Sequence, residues 1–229
     1  MEPILDTEKI TSYLYIVIPV VVIGLIALFA LIGSRKKQGA QGGKWNTRTL
    51  TMAAICIALG FALSYIRIVH LPQGGSVTPA SMLPLMLFAY LYGPRKGFLA
   101  CMAYGLLQLL QDPYIVHWAQ AIVDYLFAFM ALGLAGIFSK ARIAIGKSRQ
   151  LNTILPGIVL AALGRYICHT ASGIIFFAVY AEGTGLSVFA YSAGYNVYVL
   201  VEGALCLVLM LIPQMQRFAL ARRLEVRGG

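Results

Sequence analysis

The sequence predicts an all-α integral membrane protein, and three observations carry that prediction. First, 60% of the 229 residues are hydrophobic and only 11% are charged, against about 25% charged residues in a soluble domain. Second, apolar runs approaching or reaching spanning length recur along the whole chain. Third, the basic residues fall in alternate loops between those runs, the pattern that fixes orientation in a bilayer.

Seven hydrophobic segments are read near 12–33, 48–66, 81–92, 96–111, 116–138, 152–180 and 187–212. The first, SYLYIVIPVVVIGLIALFALIG, follows the acids Glu2, Asp6 and Glu8 and precedes Arg35, Lys36 and Lys37. A secretory signal carries its positive charge before the apolar run. This order predicts an uncleaved helix with its N-terminus outside. The linker QGAQGGKWNTR is flexible by composition. The third segment is short, as expected of a partial or tilted span. The sixth is long and contains glycine, so a break or an extension beyond the lipid is expected.

Fifteen of the eighteen Lys and Arg residues lie in one set of loops: Arg35 to Arg48, Arg95 and Lys96, Lys140 to Arg149, and Arg217 to Arg227. Lys9 and Arg67 fall on the other side with Glu2, Asp6, Glu8, Asp112 and Glu182, and Arg165 lies within a span. The basic loops are therefore expected in the cytoplasm, with the C-terminus inside. This alternation accounts for the net charge of +10 without a nucleic-acid partner. The four cysteines sit in apolar runs without a CxxC pair, as small buried hydrophobes do. Nothing has the spacing of a metal site. No P-loop signature and no stretch long enough for a soluble catalytic domain are present, so any ATP hydrolysis falls to another subunit.

Polar groups inside the apolar runs mark the candidate site, because lipid offers them no water. In DPYIVHWAQAIVDYLFAFMALGLAGIF, helical spacing puts Tyr114, His117, Gln120 and Asp124 on one face. An unpaired carboxylate at this depth costs about 2.5 kcal/mol or more. Either Asp124 faces a cavity and pairs a cationic ligand, or it pairs Arg165 and pins two helices. In GRYICHTASGIIFFAVYA, Arg165, His169, Ser172 and Phe176 form one stripe. Gly164 and Gly173 suit close helix packing. The last span holds Tyr191, Tyr195, Asn196, Tyr198 and Glu202. The Asn196 amide both donates and accepts, which suits a heteroaromatic base. In NTRTLTMAAICIALGFALSYI, Ala54, Ala58 and Ala62 form a small-residue strip suited to close helix approach, within the chain or against another subunit.

The pieces GGSVTPASMLPLMLFAYLYGPRKGFLACMAYGLLQLL, QAIVDYLFAFMALGLAGIF, RYICHTASGIIFFAVYA and YSAGYN together resemble the thiamine-specific S-components of energy-coupling factor (ECF) vitamin transporters, over roughly residues 48–212. The resemblance implies a six-helix substrate-binding core in residues 44–216. An extra N-terminal helix and linker (1–43) and a basic cytoplasmic tail (217–229) flank it. It places the pocket acid and following tyrosine at Asp124 and Tyr125, and further pocket groups at Tyr114, His169, Tyr191 and Asn196. It assigns Ala54 and Ala58 to an AxxxA surface that meets a membrane-embedded coupling subunit. This sequence departs from the family in having Asp124 where glutamate is familiar. A stacking tryptophan is replaced by Phe177, with Phe176 the competing candidate by helical geometry. A second stacking tryptophan is missing from HLPQGGSVTPAS, its role open to Trp118 or another aromatic.

The function implied is high-affinity thiamine binding in the plasma membrane of a prokaryote. The coupling subunit and two ATPases would be the partners, with no cofactor and no catalysis by the chain itself. A related pyrimidine or thiazole compound is the alternative ligand. Two rival classes stand beside this reading. One is a stand-alone proton-coupled carrier using Asp124 and Glu202; the other is a membrane-embedded enzyme using Asp124 and His169 as an acid–base pair.

Overall fold

The computed structural model describes residues 45–140 and 154–228. The expected first span at 12–33, the linker as far as Lys44 and the basic loop at 141–153 lie outside the described residues, while the last linker residues, Asn46 to Arg48, cap and begin the first described helix. Among the described residues, four helices are long and apolar enough to cross a membrane: α1 Thr47–Ser64, α4 Trp118–Ser139, α5 Leu155–Phe176 and α6 Val188–Leu211. Between the first two lie the shorter α2 Leu83–Tyr92 and α3 Pro94–Gln108, and α7 Pro213–Gly228 closes the described chain. The described part of the protein is a multi-pass membrane domain. An outer belt of exposed Leu50, Ile55, Leu59, Leu99, Leu106, Ile167, Val201 and Val208 is what lipid rather than water accommodates.

α1 starts where the Asn46 side chain accepts the Thr49 N–H at 2.8 Å, satisfying one of the helix's free amides. Its inner face is Thr49, Ala53, Cys56, Gly60 and Ser64, a recurrence at three and four residues. A Cβ at Gly60 would come within 2.9 Å of the Ser81 carbonyl, so glycine lets the following loop cross the helix closely. Ala54, Ala58 and Ala62 face outward and are exposed.

α2 is buried from Leu83 to Leu91. At about 1.5 Å per residue its ten residues reach only about half of a 30 Å hydrocarbon core. The expected short third segment is therefore a partial span. Irregular backbone leads into it, of a kind that membranes tolerate only where it is covered by protein or lines a cavity. That backbone includes a feature absent from the all-α expectation, a ribbon of β1 Val69–His70 and β2 Ser76–Val77. The strands are antiparallel, with Val69 opposite Val77 and His70 opposite Ser76. Gln73 and Gly74 turn the ribbon with positive φ of 63° and 85°.

The sixth predicted segment ends as a helix at Phe176, and a short 3₁₀ turn, Ala178–Ala181, follows. α4 widens into a π turn over Ile122–Phe127, around Asp124, before tightening into 3₁₀ geometry from Ala131. Its inner half, with Leu132 and Ala135 fully buried, packs at the centre against α2, α3 and α5. α6 is interrupted at Asn196. α7 docks through buried Arg223, which bonds the Tyr90 hydroxyl and donates to the Ser139 carbonyl at 2.9 Å. Arg48 meets Glu225 at 2.9 Å, and Lys96 lies over Trp45 at 6.0 Å. These contacts gather the described basic loops at one end of the bundle.

Candidate functional site

A cavity opens at the opposite end, among the ribbon, the 109–117 loop and the α5–α6 connection. It encloses about 1020 Å³ of free space, including its mouth. Of the site residues expected from sequence, Tyr114, Asp124, Tyr125, His169, Phe177, Tyr191 and Asn196 all line it.

Asp124 forms the floor on the α4 side. Its Oδ2 accepts from Gln120 Nε2 at 2.7 Å and from Ser172 Oγ at 2.8 Å, and its Oδ1 lies 3.0 Å from His169 Nδ1. The opposite imidazole nitrogen, Nε2, accepts the Arg165 Nε–H at 3.3 Å. A nitrogen that accepts carries no proton, so His169 is the neutral Nδ1–H tautomer and donates to Asp124. Donors alone surround the carboxylate, as suits its ionised form.

The alternative pairing of Asp124 with Arg165 is not formed. Arg165 instead meets Glu202 at 3.4 Å, and its guanidinium lies 4.4 Å from the centre of the Phe129 ring. Glu202, 1% exposed, also accepts from Ser81 Oγ at 2.8 Å and from the Thr78 hydroxyl. Ala80, buried and at φ 61°, bends the chain so that Thr78 and Ser81 both reach this carboxylate.

The walls are aromatic. Tyr114 and Phe177 stack with centroids 6.1 Å apart, and Tyr195 meets Tyr198 edge-on at 6.0 Å. Tyr114 donates its backbone N–H to the Tyr125 hydroxyl at 3.0 Å, and its own hydroxyl lies 2.8 Å from that of Tyr180. The bond to Tyr114 raises the Tyr180 pKa above the ordinary phenol value, so the Tyr180 hydroxyl stays protonated at neutral pH. Asn196 donates to the Ser192 carbonyl at 2.9 Å and to the His169 carbonyl at 3.3 Å. A side chain at Gly173 would overlap Ser192, so the close approach of α6 to α5 depends on that glycine.

Several expectations are corrected. Tyr114 and His117 precede α4 and do not share a helical face with Asp124. The His117 ring instead caps α4, accepting from Ala119 N at 3.1 Å, and stacks on Phe176 at 5.5 Å. Phe176 is packed in that cluster, away from the cavity, whereas Phe177 lines it. Trp118 is 69% exposed on the outer surface, so it does not supply the missing stacking ring. Ser64, Gln108 and Gln111, none of them among the residues expected from sequence, line a second polar wall. Gln108 donates to Ser64 Oγ at 3.0 Å, and Ser64 Oγ to Gln111 Oε1 at 2.7 Å. The run GLLQLLQD held the signal, two glutamines three residues apart at the end of an apolar helix.

Three comparisons with known proteins bear on this site. The family model described as thiamine transporter protein matches residues 50–222. The thiamine transporter ThiT of Bacillus subtilis is 31% identical over 156 residues, which cover 63% of this chain and 80% of that protein. The solved structure of ThiT from Listeria monocytogenes superposes with a TM-score of 0.60 at 26% identity, covering 75% of this chain and 98% of its own. With most of its length matched by the family model, the chain belongs to the thiamine transporter protein family.

Proposed function

We propose that this chain is the thiamine-binding S-component of an ECF-type importer. Its relatives carry the names of transporters, and the chain is a transport protein, not an enzyme. The observation that carries the ligand assignment is the Asp124 carboxylate, held by three donors at the floor of an aromatic-walled cavity. Thiamine is a flat aminopyrimidine joined to a cationic thiazolium. In the proposed complex, Asp124 offsets the thiazolium charge. Phe177, Tyr114, Tyr125 and Tyr191 pack on the rings, with cation–π attraction adding to stacking. Asn196 and His169 fix the polar edges.

The basic end of the bundle is assigned to the cytoplasm by its Lys and Arg content, so the cavity opens outward. Residues 44–216 are the six-helix core in this reading, 1–43 an added helix and linker, and 217–229 the basic cytoplasmic end. The exposed strip of Ala54 and Ala58 meets the membrane-embedded coupling subunit, whose two associated ATPases drive release inside. Titration of the purified protein with thiamine, followed by tyrosine and tryptophan fluorescence or by calorimetry, tests the ligand assignment. Saturable one-to-one binding is expected, and absence of binding overturns it.

A further inference from the structure

We infer that Glu202 is a positioning residue that holds Arg165 away from Asp124 and so keeps the cavity selective for a cation. The inference rests on the thiamine-binding reading above. Arg165 and Asp124 stand on opposite sides of one imidazole ring, bonded to Nε2 and Nδ1 of His169 respectively. A guanidinium that close to a buried carboxylate has an obvious alternative partner in it. Turned onto Asp124, Arg165 would neutralise the one acid free to meet a ligand cation. Glu202 prevents this by taking the arginine from the α6 side at 3.4 Å. Glu202 is itself fixed by the hydroxyls of Ser81 and Thr78. All of these groups are buried, Arg165 at 7%, Asp124 at 9% and Glu202 at 1% exposure, so solvent screens them little.

The charge count follows. His169 is neutral in the tautomer its two bonds impose. One guanidinium against two carboxylates leaves the floor of the cavity with a single net negative charge. At the mouth, Arg67 and Asp112 lie 3.4 Å apart and cancel. A monocation completes the balance, and a neutral ligand of the same shape does not. Glu202 thus sets selectivity for charge through Arg165, although the residue assigned to the cation is Asp124.

The test measures affinity for two ligands, thiamine and the isosteric analogue whose thiazolium nitrogen is replaced by carbon, leaving a neutral ring. Glu202→Gln keeps the shape and an acceptor but frees the arginine charge. Thiamine affinity is expected to fall by about tenfold or more, with a much smaller change for the neutral analogue. Arg165→Gln combined with Glu202→Gln removes both charges and restores the net count, so the wild-type ratio of the two affinities should return. Equal losses for both ligands in Glu202→Gln would mean that the pair only shapes the cavity, and would overturn the inference. If Glu202→Gln does not fold, Arg165→Gln decides: it leaves both carboxylates unopposed, so a raised ratio of thiamine to neutral-analogue affinity supports the inference and an unchanged ratio overturns it. Failure of both variants to fold makes the pair a folding element and overturns it too. Wild-type protein that binds no thiamine removes the underlying reading instead, a result distinct from any of these.

Discussion

Phe176 and Phe177 are neighbours in the chain that serve opposite sides of one helix end. Phe176 is 2% exposed and stacks on His117 beside Ala119 and Ile175, while Phe177 faces the cavity and stacks on Tyr114. The cause is the end of α5. Phe177 leaves helical geometry at φ −121° and ψ 18°, and its N–H caps the Gly173 carbonyl at 3.1 Å. Its side chain swings from where a continued helix would put it. The two positions should therefore fail differently. Phe177→Ala is expected to weaken thiamine binding by about 0.5–1.5 kcal/mol from stacking, plus lost contact area, with little change in thermal stability. Phe176→Ala is expected to lower the unfolding temperature, as large-to-small changes at packed sites cost about 3–5 kcal/mol. Parallel titrations and melting curves check both, and a reversed pattern would exchange their roles.

Asp124 makes the sharper prediction. Asp124→Asn keeps the shape and removes the charge, and a charge-assisted hydrogen bond is worth about 1.5–3 kcal/mol. Thiamine affinity should fall by an order of magnitude or more in a fluorescence titration. Asp124→Glu, which restores the longer side chain familiar in the family, should retain binding. Unchanged affinity in Asp124→Asn would sink the proposed cation contact.

What could be read from the sequence follows from which groups a membrane makes expensive. Asp124, His169 and Asn196 stood out because a polar side chain in an apolar run needs a partner or a ligand, whatever the packing. The choice of partner did not stand out. Whether Arg165 takes Asp124 or Glu202 depends on how α5 is rotated between α4 and α6. That rotation depends on contacts such as Gly173 against Ser192, which one sequence does not display. The ribbon at 69–77 was equally hidden, since strands of two residues carry no periodicity. The exit of Phe177 from α5 depends on a single backbone turn. Boundaries of the described segments are legible to within a few residues because the lipid-facing apolar belt sets them, except where a span stops to line the cavity.

The N-terminal segment yields a prediction from sequence alone. Residues 1–43 hold no polar group deep in their apolar run, and Lys44 and Arg48 independently favour an inside start for the next helix. Deleting residues 2–43 is expected to preserve thiamine binding and the proposed cytoplasmic position of the C-terminus. Labelling of a C-terminal cysteine from each side of the membrane reads the topology. An inverted C-terminus or an empty pocket would place the segment within the working core.

The outer face of α1 is where the proposed function separates binding from transport. Ala54 and Ala58 are exposed, while Ala53, Cys56 and Gly60 of the same helix are turned inward. The cavity lies on that inner side, reached through Ser64 and the loop that crosses Gly60. Bulk added at Ala54 or Ala58 therefore points away from every residue assigned to the ligand. Small residues at four-residue spacing let another helix approach closely, and a large ring there holds it off. Ala54→Trp and Ala58→Trp are thus expected to leave thiamine affinity of the purified protein unchanged. Thiamine uptake by cells that also supply the coupling subunit and ATPases should collapse. Co-purification of those subunits with the tagged variant should be lost in parallel. Normal uptake by both variants would show that the strip faces only lipid. Loss of binding in the purified protein would show that α1 transmits its packing to the cavity.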